Sequence, residues 1–180
     1  MTKARSGRDA ALWFFVFLVP AVWLFTIGPY AKQHRLSGVQ CGIPFEVSGY
    51  RGDEFRTAVL EMQDDVRTAY LQTQLWDLLV NGLLLTVAAT KISLWVASRA
   101  AGKHSFLRNL GYFPLVLGLT DILENLLMLS VLVSAPPSLL LAQLAAAVTS
   151  IKLALVPTLV LIPIGVVAIW VWRFVPDQTN

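Results

Sequence analysis

The chain has 180 residues, of which 56% are hydrophobic and only 14% are charged, and its mean hydropathy is +0.65. This composition excludes an ordinary soluble domain and favours a polytopic membrane protein. The net charge of +3 is spread over short segments. It therefore indicates membrane orientation and excludes a nucleic-acid-binding module.

Four apolar stretches are long enough to cross a bilayer, which takes about 20 residues. In chain order they are residues 11–30, 75–98, 109–133 and 138–174. The sequence therefore predicts an all-α integral membrane protein in which residues 1–180 form one four-helix transmembrane domain.

A long loop, residues 31–74, separates the first two predicted spans. Its second part, residues 53–74, has apolar side chains at steps of three and four, which predicts an amphipathic helix. Basic residues cluster before the first span, between the second and third, and after the fourth. The positive-inside rule then places both termini in the cytoplasm and the loop outside. We expect a multi-pass protein of the bacterial inner membrane.

A polar stripe enters the second span from the loop. It steps by three and four through Arg67, Tyr70, Gln74, Asp77 and Asn81. For Arg67 and Tyr70 the alternative is the solvated face of a surface helix, but Asp77 and Asn81 lie beyond the predicted interface. The stripe predicts a polar site that opens to the outside.

The third and fourth spans carry the most unusual residues. Asp121, Glu124 and Asn125 share one helix face in an apolar segment, and Lys152 lies in the next. The connection at 134–137 is short, so an antiparallel hairpin brings Lys152 to the depth of both acids. The sequence predicts a salt bridge from Lys152 to Asp121 or Glu124. Together with Asp77 these acids outnumber the lysine, so at least one proton or bound cation is expected in the cluster.

These residues make up the predicted ligand-binding set: Arg67, Tyr70, Asp77, Asn81, Asp121, Glu124, Asn125 and Lys152. The two histidines, His34 and His104, fall in predicted polar connections, which excludes histidine-ligated haem, copper and di-iron sites in the bundle. The single cysteine excludes a disulfide framework. No metal and no other cofactor is predicted.

The order of these residues along the chain resembles an uncharacterised family of small bacterial four-helix integral membrane proteins. That family carries an Asp, then Asp-x-x-Glu-Asn, then a Lys, which correspond here to Asp77, residues 121–125 and Lys152. The resemblance covers roughly residues 45–155. It implies the fold and the position of the site, and no activity.

Three functions remain open from the sequence. The first is a binding or accessory protein whose partners are membrane lipids, a lipid-like ligand or another membrane protein. In this case the charges could also act as a structural clamp. The second is an intramembrane enzyme acting on a lipid or isoprenoid, with Asp121 or Glu124 as general acid and Asp77 as base. The third is proton or ion translocation.

Overall fold

The computed structural model describes residues 49–100 and 109–172, with backbone alone at 99–100 and 158–172. It also describes residues 9, 12, 13, 15, 16, 18–20, 22 and 23. This part of the chain is helical apart from short connections, and no strand occurs within it. The predicted all-α fold is confirmed for these residues. Loop residues 31–48 and eleven of the twenty residues of the first predicted span lie outside them.

Five α-helices follow one another in the described part of the chain from residue 52 onward. They are α1 (Gly52–Glu61), α2 (Asp64–Asp77), α3 (Thr86–Ala100), α4 (Phe113–Val133) and α5 (Leu139–Trp172). A π-helical segment, Leu78–Leu85, joins α2 to α3 without a break, and a short 3-10 turn, Leu110–Tyr112, precedes α4. The helices α2 and α3 therefore form one long rod.

Within the described residues, three helices are long and apolar enough to cross a membrane: Asp64–Ser98, Leu110–Val133 and Leu139–Pro157. They correspond to the second, third and fourth predicted spans. The second begins eleven residues before the predicted start at 75, because α2 enters it directly. Of the first predicted span, the described residues are helical, and the indole of Trp23 packs edge-on against that of Trp76, with ring centroids 5.1 Å apart.

The prediction of a single amphipathic helix over 53–74 is wrong. The backbone is extended at Met62 and Gln63, so α1 ends at Glu61 and α2 starts at Asp64. Periodicity continued across the break because apolar residues on both helices face the same core. The sequence signal for two helices was the pair of acidic residues that opens each of them, since acidic side chains favour a helix N-terminus.

Helix α1 is docked on the bundle. Its apolar residues enter a core cluster with the end of α4 and the start of α5, which comprises Phe55, Val59, Tyr70, Met128, Val131, Leu132, Ala142 and Ala145. The first turn of α1 touches α5 through backbone, because a Cβ on Gly52 would lie 2.5 Å from the backbone nitrogen of Gln143. This cluster fills the end of the bundle that the sequence predicts to be external.

Candidate functional site

A buried ion pair joins α4 to α5. The Lys152 ammonium lies 3.0 Å from Asp121 Oδ1 and also contacts Glu124 Oε2. The two acids are one helical turn apart on α4, so a single lysine between them reaches both. The predicted salt bridge is confirmed, and it forms with both acids rather than one.

Glu124 has a second partner that the sequence did not single out. The Thr149 hydroxyl donates a hydrogen bond to Glu124 Oε1, and the Tyr50 hydroxyl lies 3.3 Å from that of Thr149. Thr149 is three residues before Lys152 and hence on the same face of α5. That spacing indicates a contact with the acids only once Lys152 is known to face them. Glu124 is enclosed as a result, with only 1% of its side chain exposed.

Asp77 is held by two amides. Asn125 Nδ2 donates to its Oδ2 at 2.8 Å, and the Asn81 amide donates to its Oδ1. The same Asn125 amide is 3.1 Å from the carbonyl oxygen of Asp121 and 3.4 Å from its Oδ2. Asn125 therefore connects the carboxylate of the second span to the ion pair of the third and fourth.

The π-helical segment carries Asn81, and a hydrogen bond from Thr86 links that residue to the start of α3. The Thr86 hydroxyl donates to the carbonyl oxygen of Asn81, five residues earlier, at 3.1 Å, which matches π-helical spacing. Thr86 in turn meets α4 at Gly118, where a Cβ would lie 1.9 Å from its Oγ1. The two spans approach each other as closely as a glycine permits, and segments of this kind are frequent at functional sites.

A cavity of about 320 Å³ lies between the second, third and fourth predicted spans. Asn81, Asp121 and Lys152 form its polar end, and its other walls are mostly apolar, including Leu85, Leu117 and Val156. This volume is at the lower end of the range of small-molecule sites. The arrangement is an apolar pocket with charge at one end.

The cavity lies on the side of the acids opposite to the one predicted. From Asp121 it extends to Pro114 on α4, and from Lys152 to Val156 on α5. Those residues lie towards the ends of the helices that the positive-inside rule places inside. The outward opening itself stays a prediction. At the other end Tyr70 is 2% exposed and packed into the core cluster.

Arg67 bonds to the carbonyl end of α4. Its Nε donates to the carbonyl oxygen of Leu132 at 2.8 Å, and its Nη2 lies 3.3 Å from that of Ser134. The last carbonyls of a helix have no partner within the helix, and a basic side chain can supply one. The structure thus brings six of the eight predicted site residues together and places Arg67 and Tyr70 away from the cavity.

Replacing Arg67 by methionine should lower the free energy of unfolding by about 2 kcal/mol, because hydrogen bonds from a charged donor are lost at the end of α4. Chemical denaturation in mixed micelles measures it. Arg51→Met is the matched control, because the exposed Arg51 side chain makes its described hydrogen bonds to the exposed Asp53. Equal effects of the two changes would contradict the capping role of Arg67.

Within the described residues, no group of three or more His, Cys, Asp or Glu side chains could hold a metal ion. The charged residue nearest in sequence to the cavity lining, Lys91 on α3, has an exposed side chain. The buried cluster consists of three carboxylates, two amides, one hydroxyl and one ammonium, which belong to Asp77, Asp121, Glu124, Asn81, Asn125, Thr149 and Lys152.

Comparisons with known proteins give no relative. No protein-family model, no curated protein and no solved structure matches the sequence. A functional proposal for this chain therefore depends on the geometry of the site itself.

Proposed function

We propose that this protein binds a lipid-like ligand in the cavity, with the polar end of that ligand at Asp121 and Lys152. The observation that carries the proposal is the shape of the pocket, which is apolar along its walls and charged at one end. An amphiphile matches this distribution, because its chain replaces lipid or void against the walls and its headgroup meets the polar residues.

The protein would work as a single four-helix domain of the bacterial inner membrane, with both termini in the cytoplasm. The distribution of basic residues supports this orientation. The cavity would then lie in the inner half of the bilayer. Val156 at its edge is 41% exposed, so a ligand could enter sideways from the lipid.

Binding is better supported than acid/base catalysis. A two-carboxylate enzyme needs both acids within reach of the substrate. Of the three acids, only Asp121 lines the cavity, while Glu124 and Asp77 are 1% and 3% exposed and bonded to other side chains. The second carboxylate that the enzyme hypothesis requires does not face the same space.

The test uses the full-length protein in mild detergent, with dodecanol as probe. We expect native mass spectrometry to show a bound amphiphile after purification, and dodecanol to raise the melting temperature. Ala89→Phe should abolish both effects, because residue 89 lines the cavity and a phenyl ring would occupy it. Ala147→Phe, at an exposed position of α5, is the matched control and should retain both.

Two outcomes would contradict the proposal. One is the absence of any adduct together with no response to dodecanol. The other is an equal response of the Ala89→Phe and Ala147→Phe variants, since this would place the amphiphile on the lipid-facing surface.

A further inference from the structure

We infer that the ligand of this cavity is a cationic amphiphile whose headgroup is a primary ammonium. The inference rests on the proposed binding function and adds the sign of the ligand's charge. It follows from the charge balance of the cluster and from the partners already bound to its lysine.

The cluster has an excess of negative charge. Asp77, Asp121 and Glu124 face a single ammonium, that of Lys152, and Asn81, Asn125 and Thr149 contribute neutral groups. Taken at full ionisation, two carboxylate charges are left without compensation. Charge of one sign in a low-dielectric interior is costly, so the site favours an added cation.

Within the described residues, Lys152 is the only cation that contacts the acids of the cluster. Residues 11–30 and 153–172 contain no charged side chain. Besides Lys152, the basic residues within the predicted spans are Arg173, the next-to-last residue of the fourth, and Lys91. The Lys91 side chain is exposed, and it does not line the cavity. It lies fourteen residues beyond Asp77, or about 20 Å along the helix at 1.5 Å per residue.

Lys152 is not available to an anionic headgroup. Its ammonium already contacts two carboxylates, so a phosphate or carboxylate arriving there would add negative charge to a site that has too much. Asp121 is the group that can accept. It lines the cavity and is 16% exposed, and among the described residues its Oδ2 accepts only one hydrogen bond, from the Asn125 amide at 3.4 Å.

A primary ammonium fits this acceptor. It is a compact charge with three donors, and a carboxylate has about four lone-pair positions, of which Lys152 uses one on Oδ1. Such a headgroup would bond to Asp121 from the cavity side, while its chain would lie along Leu85, Leu117 and Val156. Hydrogen bonds between charged partners are the stronger kind.

The experiment compares three probes of equal chain length on the full-length protein in dodecyl maltoside: dodecylamine, dodecanol and dodecanoate. Competition in native mass spectrometry gives their relative affinities. We expect dodecylammonium to bind at least about tenfold more tightly than dodecanol, which corresponds to about 1.4 kcal/mol. Dodecanoate should bind more weakly than dodecanol.

Asp121→Asn should reduce the preference for the amine over the alcohol to about onefold, because the accepting charge is removed while the shape is kept. Glu61→Gln, which removes a charge from an exposed position at the end of α1, is the control and should leave the preference unchanged. If Asp121→Asn does not fold, the ranking of the three probes on the unmodified protein still tests the sign of the ligand's charge.

A fourth probe identifies the source of the amine. Lysophosphatidylethanolamine carries the same ammonium beside a phosphate, and binding as tight as that of dodecylammonium would indicate a membrane aminolipid. Weaker binding would indicate a free long-chain amine.

If dodecanol or dodecanoate binds as tightly as the amine, the inference about charge is overturned while the proposed function stands. In that case protons balance the cluster. If no probe binds, the proposed function fails as well.

Discussion

Replacing Lys152 by methionine should lower the free energy of unfolding by about 3–5 kcal/mol, the cost typical of removing one partner from a buried ion pair. The lysine contacts both Asp121 and Glu124. Without it, Glu124 would retain only the hydroxyl of Thr149 as a described partner. Denaturation of the purified protein in mixed micelles, followed by circular dichroism, measures the change.

The control is Lys91→Met, which removes a lysine from another apolar span. Because Lys91 is exposed, its loss should cost well under 1 kcal/mol. Combining Lys152→Met with Asp121→Asn and Glu124→Gln should restore most of the lost stability, since the uncompensated charges go too. Equal destabilisation by the two lysine changes would show that Lys152 is not clamped between the acids.

The ion pair could be predicted from the sequence because three simple constraints act together. Charges at bilayer depth need partners, and the connection at 134–137 is too short for anything but an antiparallel hairpin. The acids on α4 and Lys152 on α5 are also separated from that connection by similar numbers of residues. Asp121 and Glu124 share a face by their spacing. These constraints leave one basic residue, Lys152, at the right depth.

Thr149 could not be recognised in the same way. A threonine in a membrane helix ordinarily bonds to the carbonyl one turn earlier, and Thr149 also lies 3.0 Å from the carbonyl oxygen of Ala145. Nothing in the sequence separates that default from its additional bond to Glu124. Its place three residues before Lys152 becomes informative only once Lys152 is known to face the acids.

The polar stripe shows the limit of periodicity. Spacing tells which residues share a helix face, but not what that face meets. Asp77 accepts a hydrogen bond from Asn125, and Asn81 lines the cavity. Arg67, on the same stripe, instead bonds to the carbonyl end of α4. The choice depends on where α4 stops, at Val133, and on the need of its last carbonyls for donors.

The position of this cavity could not be predicted from the sequence for a related reason. The stripe leads outward from Asp77, but α1 packs onto that end of the bundle and Tyr70 joins the core cluster. The break at Met62 and Gln63 is what allows α1 to fold back. The π-helical segment below Asp77 was not predicted, because the apolar run Leu78–Leu85 has the same pattern as an ordinary membrane helix.

Adding one methyl group at Gly118 should have an effect close to that of breaking the ion pair. A Cβ there would lie 1.9 Å from Oγ1, 2.2 Å from Cγ2 and 2.5 Å from Cβ of Thr86. The clash cannot be relieved by rotating a side chain, since Thr86 Cβ is itself too close. We therefore expect Gly118→Ala to destabilise the protein by about 3 kcal/mol, the upper end for overpacking.

The clash with Thr86 predicts a graded rescue. In the Gly118→Ala background, Thr86→Ala should recover only part of the stability, because its Cβ remains 2.5 Å from the new methyl. Thr86→Gly should recover most of it and leave a deficit of about 1 kcal/mol from a glycine within a helix. A double-mutant cycle isolates the coupling between the two positions.

Gly82→Ala is the matched control for Gly118→Ala. Its Cβ would come too close to one atom, Ile122 Cγ1 at 2.9 Å, which belongs to a side chain, while Leu78 Cδ1 and Asp121 Oδ2 would lie at the ordinary contact distances of 3.6 and 3.7 Å. The change should therefore cost under 1 kcal/mol. Since Gly118 and Thr86 both line the cavity, dodecanol binding should fall in Gly118→Ala and return with Thr86→Gly. Rescue of stability without rescue of binding would separate the packing of these helices from the site they enclose.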